Sequence, residues 1–398
     1  MKSAAGKTSG GVRHAAVVTE TGTLNDAVLL WRDGTIAYVG SEADVPAELK
    51  PLLDASADAG GDWLLPGFID IHVHGGYGGD FMEATAEAYD AITSFHARNG
   101  TTGMLATTVT ASREAIDRVL EAVESYRSSR AGGTGAELYG VHLEGPFISP
   151  KWPGAQNPNF IVDANKEWLE AWTARYPGLI RMVTLAPERP GALDVVSWLA
   201  SHGIIAACGH TDATYADIQA AAAHGLSHAV HTFNAMRGLH HREPGTVGAV
   251  LTDPRLHAEV IADGLHVHPA GIKLLTQVKT QRNLILITDA ISAAGLGDGD
   301  YSLGGLDVVV KDGAARLKEG GALAGSTLTM IGAFRYMVLE IGLSVPKASE
   351  LGSGNPARRL GLYGETGSIA AGKRADLLQV GASNLELRQV WKRGAKLE

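Results

Sequence analysis

Eight short apolar runs along the middle of the chain most constrain what this sequence can fold into. They span residues 67–73, 102–109, 138–143, 180–185, 203–208, 228–232, 257–261 and 284–288. Most are separated by amphipathic stretches, such as 86–99, 113–127, 193–202, 215–224 and 269–278. A continuously apolar strand is buried on both faces, as in a parallel sheet wrapped in helices; a strand with one wet face would alternate. Eight such strands with helical spacers predict an α/β fold of the (β/α)8 TIM-barrel type. The competing doubly wound sheet wants a glycine-rich phosphate loop after its first strand. Here Gly75-Gly76-Tyr77-Gly78-Gly79 lacks the G-x-G-x-x-G spacing and opens no amphipathic helix.

The two ends read differently. Residues 15–19, 27–32 and 35–39 are short β-rich stretches, and Asp33-Gly34 is a hairpin signal between the last two. The C-terminal end is similar, with Gly367-Ser368-Ile369, then Gly372-Lys373-Arg374-Ala375-Asp376-Leu377-Leu378, then 386–392. The expected organisation is therefore a barrel over 66–354 and a small β-sandwich domain assembled from 1–65 and 355–398. With 34 Lys+Arg against 43 Asp+Glu the net charge is −9, which argues against nucleic acid or an anionic membrane as a partner. The single cysteine, Cys208, excludes an intramolecular disulfide and reads as a small buried apolar residue. No apolar run approaches the roughly 18 residues of a membrane span. The polar start, Met1 to Gly11, lacks the apolar core of a signal peptide, so a cytoplasmic location is expected.

In a barrel of this kind the active site lies at the C-terminal ends of the strands. His72-Val73-His74 closes the first run, His142-Leu143-Glu144 the third, His210 the fifth and His231 the sixth. Asp263, with His266 just beyond, closes the seventh, and Thr288-Asp289 the eighth. A lone histidine is usually an ordinary hydrogen-bonded residue. Six of eight strands ending in metal-capable or acid–base side chains, on strands assigned from apolarity alone, point instead to a site. His72 and His74 stand at i and i+2, so both imidazoles face one way and can meet at one ion. His210 and His231 could add two nitrogens and Glu144 a carboxylate. That donor set suits Zn2+, with Fe2+, Mn2+ and Co2+ also compatible. Asp289 falls at the rim beside these donors, where a carboxylate can relay a proton from water to a leaving group. The alternative reading of Asp289 is a helix N-cap.

Pro66-Gly67-Phe68-Ile69-Asp70-Ile71-His72-Val73-His74 resembles the opening motif of the amidohydrolase superfamily, and the C-terminal Gly-Lys-Arg-Ala-Asp-Leu-Leu segment resembles its small composite sheet domain. More specific are His142-Leu143-Glu144-Gly145-Pro146-Phe147, Gly209-His210-Thr211 and His231-Thr232-Phe233-Asn234-Ala235-Met236. Arg242-Glu243-Pro244-Gly245, Ala262-Asp263-Gly264-Leu265-His266-Val267, Thr288-Asp289-Ala290 and Leu323-Ala324-Gly325-Ser326 complete the series. In this order they resemble the N-acetylglucosamine-6-phosphate deacetylase family.

That resemblance implies one divalent ion on Glu144, His210 and His231. A second would sit on His72 and His74 with Glu144 bridging; some members of the family keep a single ion. It implies Asp289 as the catalytic acid/base, and Asn234, Ala235, Arg242 and His266 as binders of the sugar phosphate. Leu323, Ala324 and Gly325 would line the acyl or sugar pocket, with Ala155 and Gln156 also at the substrate. Many members carry Gly-Ala-His or Gly-Thr-His where this chain has Gly154-Ala155-Gln156, so a substrate-contacting histidine is a neutral glutamine here. The implied reaction is metal-dependent hydrolysis of N-acetyl-D-glucosamine 6-phosphate to D-glucosamine 6-phosphate and acetate. The implied partners are this small amino-sugar phosphate and a second copy of the chain in a homodimer. Three rivals stand beside it: a cyclic amidase, a deacetylase of the galacto epimer, and a barrel that only binds amino-sugar phosphates. A cyclic amidase usually bridges its metals with a carboxylated lysine, and a binding module needs neither Asp289 nor five convergent donors.

Overall fold

The computed structural model describes residues 8–130, 133–280 and 282–397; the first seven residues of the polar start lie outside the described residues. All eight apolar runs form strands: β1 (Phe68–Asp70), β2 (Thr101–Thr107), β3 (Glu137–Glu144), β4 (Ile180–Leu185), β5 (Ile205–Cys208), β6 (His228–Ala229), β7 (His257–Ile261) and β8 (Leu284–Ile287). They pair in sequence order, parallel throughout. Just past the strands, β8 meets β1 through Thr288 Oγ1, which donates to Asp70 Oδ2 at 2.5 Å, and through Asp289 N–H to His72 O at 2.9 Å. Burial pushes the Asp70 carboxyl up to about 7.

Ile69, Leu105, Met182, Ala207, Val230, Ile261 and Ile287 fill the barrel interior, and Ala357 and Leu360 join the same cluster. The helix Gly354–Arg359 thus plugs the N-terminal end, and Asn355 Nδ2 donates to Leu284 O at the start of β8. A filled interior leaves the opposite rim as the place for chemistry. The outer helices begin where the chain offers a cap: Thr85 accepts from Ala88 N–H, Asn165 from Trp168 N–H, and Thr214 from Asp217 N–H. The helix Gly245–Thr252 carries no polar stripe and is buried all round, so no amphipathic period announces it. Among the described residues, no helix is long and apolar enough to cross a membrane.

β1 and β6 are shorter than their apolar runs because buried side chains take the backbone N–H groups that would continue the ladder. Asp70 Oδ1 takes the N–H of His72, and Thr107 Oγ1 that of Val73. Past β6, Glu259 Oε2 takes the N–H of His231. A second sheet joins both chain ends: Trp63–Pro66 pairs with Gly10–Thr19 on one side and Leu377–Val380 on the other. The Asp33-Gly34 hairpin forms as expected, both residues having positive φ (53° and 76°) between Gly22–Arg32 and Thr35–Gly40. Val12, Leu29, Trp31, Leu64, Leu377 and Trp391 make its core. An antiparallel insertion after β8, Gly299–Leu303, Leu306–Lys311 and Ala314–Leu317, has no counterpart in the sequence-based expectation. Leu303, Val308 and Val310 pack it on Val109, Ile291 and Ala324, over the C-terminal face of the barrel.

Candidate metal centre and active-site cavity

Glu144 ends β3, and four imidazoles converge on its carboxylate. His210 and His231 Nε2 lie 3.2 and 3.0 Å from Oε1; His72 Nε2 lies 3.3 Å from Oε1 and His74 Nε2 3.3 Å from Oε2. The far side of each ring identifies its tautomer. The Nδ1 atoms of His74, His210 and His231 face the carbonyls of Thr107, Trp152 and Asn234 at 3.3, 3.1 and 3.1 Å, and that of His72 faces Glu259 Oε2 at 2.8 Å. Such oxygens only accept, so each Nδ1 carries the proton and each Nε2 presents a lone pair inward. His210 and His231 point these lone pairs at each other across 3.2 Å, and His72 Nε2 is buried with no hydrogen-bond partner. A cation between them resolves the conflict, and histidine nitrogens with a carboxylate fit a divalent metal.

The electrostatics agree. Burial alone would lower the His72 pKa, but the Glu144 and Glu259 carboxylates outweigh it and hold the imidazole well above its usual value. Against the same burial, His74 is raised to about 9 by Asp289 and Glu144. Burial would raise Glu144, yet the neighbouring His72 and His210 hold it well below the carboxylate range. The pocket therefore calls for positive charge, which protons or a metal ion can supply.

Asp289, just past β8, places Oδ1 3.1 Å from His74 Nε2 and 3.7 Å from His72 Nε2. Burial pushes its pKa up, but the neighbouring His74 and His72 more than offset this and lower it. His210, His231, Ala235 and Asp289 all have left-handed φ, from 30° to 52°. Such backbone costs about 1–3 kcal/mol for a non-glycine residue and gathers at functional sites. Gly325 also has positive φ, and a Cβ there would meet Asp289 O at 2.8 Å and Ile291 at 2.5 Å, so glycine is required beside the acid.

These groups floor a cavity of roughly 480 Å3, the size of a small-molecule site. Its walls come from the loop after β3 (Trp152, Ala155, Gln156), from Asn234 and Ala235 after β6, from His266 after β7, and from Leu323 and Gly325. Asp263 Oδ2 accepts from His266 Nδ1 at 2.6 Å, which overcomes burial and raises the imidazole's pKa.

The amidohydrolase family model matches residues 63–396. Over 370 residues the chain is 40% identical to the N-acetylglucosamine-6-phosphate deacetylase of Bacillus subtilis (strain 168), covering 93% of this chain and 92% of that protein. Over 383 residues it is 39% identical to the N-acetylgalactosamine-6-phosphate deacetylase of Escherichia coli O157:H7, covering 96% and 98%. A mutant N-acetyl-D-glucosamine-6-phosphate deacetylase from Mycobacterium smegmatis, solved in complex with N-acetyl-D-glucosamine-6-phosphate, superposes with TM-score 0.89 at 36% identity, covering 98% of this chain and 99% of that one. The chain belongs to the amidohydrolase family, in its N-acetylglucosamine-6-phosphate deacetylase branch.

Set against the family-based expectations, His72, His74, Glu144, His210, His231 and Asp289 come together. Asn234, Ala235, Ala155, His266, Leu323 and Gly325 line the cavity above them. Ala324 is buried beneath it, among Val109 and Ile291. Arg242 lies on the exposed loop after β6, its guanidinium 2.8 Å from His241 Nε2, and is not part of the cavity wall; the cations on that wall are Lys151 and Arg316. Gln156 lines the cavity, but both ends of its amide are engaged: Nε2 donates to Glu144 Oε2, and Oε1 accepts from Thr110 N–H, each at 2.6 Å. His142 lies one layer deeper, bonded to Thr184 Oγ1, its ring edge-on to His72 at 4.7 Å. Cys208 is buried, which pushes its thiol up to about 12. Sequence reasoning missed Trp152, whose carbonyl meets His210 Nδ1, and Glu259, whose carboxylate meets His72 Nδ1. A charged residue inside the otherwise apolar β7 was the available signal for Glu259.

Proposed function

We propose that this protein hydrolyses the N-acetyl group of N-acetyl-D-glucosamine 6-phosphate, releasing acetate and D-glucosamine 6-phosphate. The observation that carries the reading is the convergence of four Nε2 lone pairs on Glu144, with the Asp289 carboxylate at 3.1 Å, on the floor of a sugar-sized cavity. Glu144, His210 and His231 would hold one divalent ion, and His72, His74 and the shared Glu144 a second; Zn2+ suits this set best. When bound, such ions supply Lewis-acid polarisation of the amide carbonyl and lower the pKa of a water molecule. Asp289 accepts a proton from the attacking water as the O–C bond forms, then delivers it to the amine nitrogen as the C–N bond breaks. Asp263 holds the Nδ1 of His266 and raises its pKa, so that the protonated ring donates from Nε2 to an oxygen of the substrate. Asn234 and Ala235 take the sugar phosphate, Arg242 joins them through movement of its exposed loop toward the cavity, and Leu323 and Gly325 border the acyl group. A homodimer is the assembly expected of this family resemblance, and light scattering would test it.

The deciding assay is acetate release by metal-loaded protein from the gluco and galacto 6-phosphates in parallel, because relatives of both kinds align at close to 40% identity. The expected result is turnover with preference for the gluco epimer. Hydrolysis of cyclic amides without release from either sugar would overturn the reading.

A further inference from the structure

Glu259 is wholly buried in the middle of β7, among apolar neighbours. An ionised carboxylate in such a place is costly unless it is paired and hydrogen-bonded. Its oxygens are divided between two histidine rings and one backbone N–H. Oε2 faces His72 Nδ1 at 2.8 Å and accepts the His231 N–H at 3.3 Å, while Oε1 faces His228 Nε2 at 2.9 Å. His228 Nδ1 in turn receives Arg359 Nε–H at 3.3 Å, and Arg359 Nη2 donates to Ser227 Oγ. A row of polar groups thus crosses the barrel, from the plug helix Gly354–Arg359 to the centre at the opposite rim. Nothing about barrel packing requires it, since Ile and Leu fill the same interior elsewhere.

The row meets the ring of one proposed ligand only. His74, His210 and His231 rest their Nδ1–H on neutral backbone carbonyls, whereas His72 alone rests it on a carboxylate. A carboxylate behind a ligating imidazole fixes the tautomer and ring orientation and raises ligand basicity. His72 is also the ring whose Nε2 has no hydrogen-bond partner.

We propose that Glu259 is the positioning residue of the second ion site: it holds His72 with Nδ1 protonated and Nε2 aimed at the ion, and His228 and Arg359 hold Glu259 in turn. This rests on the two-ion reading given above. Arg359 supplies the positive charge that balances Glu259 from below, so the ion at the rim need not do so alone.

The test is metal titration of the full chain, wild type against Glu259→Gln, with Zn2+ as probe and bound metal measured by elemental analysis. A second-sphere partner is worth about 10- to 100-fold in metal affinity. The expected result is two ions in the wild type, and in E259Q a loss of that size confined to the weaker site, with the Glu144/His210/His231 ion retained. Affinities for both ions unchanged from the wild type in E259Q would overturn the proposal. Should E259Q fail to fold, 15N NMR of histidine-labelled, Zn-loaded wild type decides: a protonated Nδ1 and metal-bound Nε2 at His72 supports the proposal, and ligation through Nδ1 overturns it. A wild type that saturates at a single ion removes both the second site and this role for Glu259. Acetate release by that same protein would still leave the deacetylase reading standing.

Discussion

Gln156→Ala separates two roles for one residue, contact with the substrate or support of Glu144. In the wild type the side-chain amide donates to Glu144 Oε2 and accepts the N–H of Thr110, both at 2.6 Å and both buried. Truncation removes a charge-assisted hydrogen bond worth about 1.5–3 kcal/mol and leaves the Thr110 N–H unpaired, a cost of about 1–3 kcal/mol. Gln156 borders the cavity, so water can enter and recover part of that sum; the expected net loss is about 2–4 kcal/mol. This is a large fraction of a typical stability of about 5–15 kcal/mol. It should appear in metal-free protein as a lower urea midpoint with an unchanged slope. Metal affinity should also fall by about 10- to 100-fold, because Glu144 loses the donor that orients it. A variant with the wild-type midpoint and metal affinity but a raised KM would refute this argument and return Gln156 to the role of a plain substrate contact.

Four further outcomes follow from the same geometry. Chelation should abolish turnover and Zn2+, Mn2+ or Co2+ restore it; full activity in protein shown metal-free by elemental analysis would contradict the donor set. Asp289→Asn should lower kcat by about two to four powers of ten with substrate binding retained, and a loss under about tenfold would make Asp289 a spectator. Changing both His72 and His74 to Ala should bring metal content down to one ion per chain and reduce the rate; unchanged content would place the second ion elsewhere. Arg242→Ala should raise KM for the 6-phosphate by about 10- to 150-fold, the worth of a charge-assisted hydrogen bond, while sparing unphosphorylated N-acetylglucosamine. If Arg316→Ala has that effect and Arg242→Ala does not, the phosphate is read by the antiparallel insertion.

What was legible in the sequence and what was not divides along a physical line. Strands buried on both faces must be apolar, so all eight announced themselves, and the candidate donors at their ends could be read by position. The helix Gly245–Thr252 could not be read, because a helix buried all round has no polar face to set a period. The antiparallel insertion after β8 follows no barrel rule, so the Arg316 it brings to the cavity wall had no place in the expectation. Resemblance located Gln156 at the cavity but not the direction of its amide, which depends on Thr110 and Glu144 meeting it from two different strand ends.

Depth within the barrel is the remaining variable, and it separates residues that look alike in sequence. His142 and Glu144 stand at i and i+2 on β3, so both face the axis. Glu144 is in the last layer and meets four imidazoles, while His142 is one layer down, where burial holds its pKa well below the usual value and it bonds Thr184. Glu259 belongs to that same lower layer. Its partner His72 is 187 residues away, on the other side of the barrel seam, so no local spacing could join them. A strand-end pattern therefore finds the donors that face the cavity. The groups that aim those donors lie beneath them, among the residues the same pattern assigns to the core.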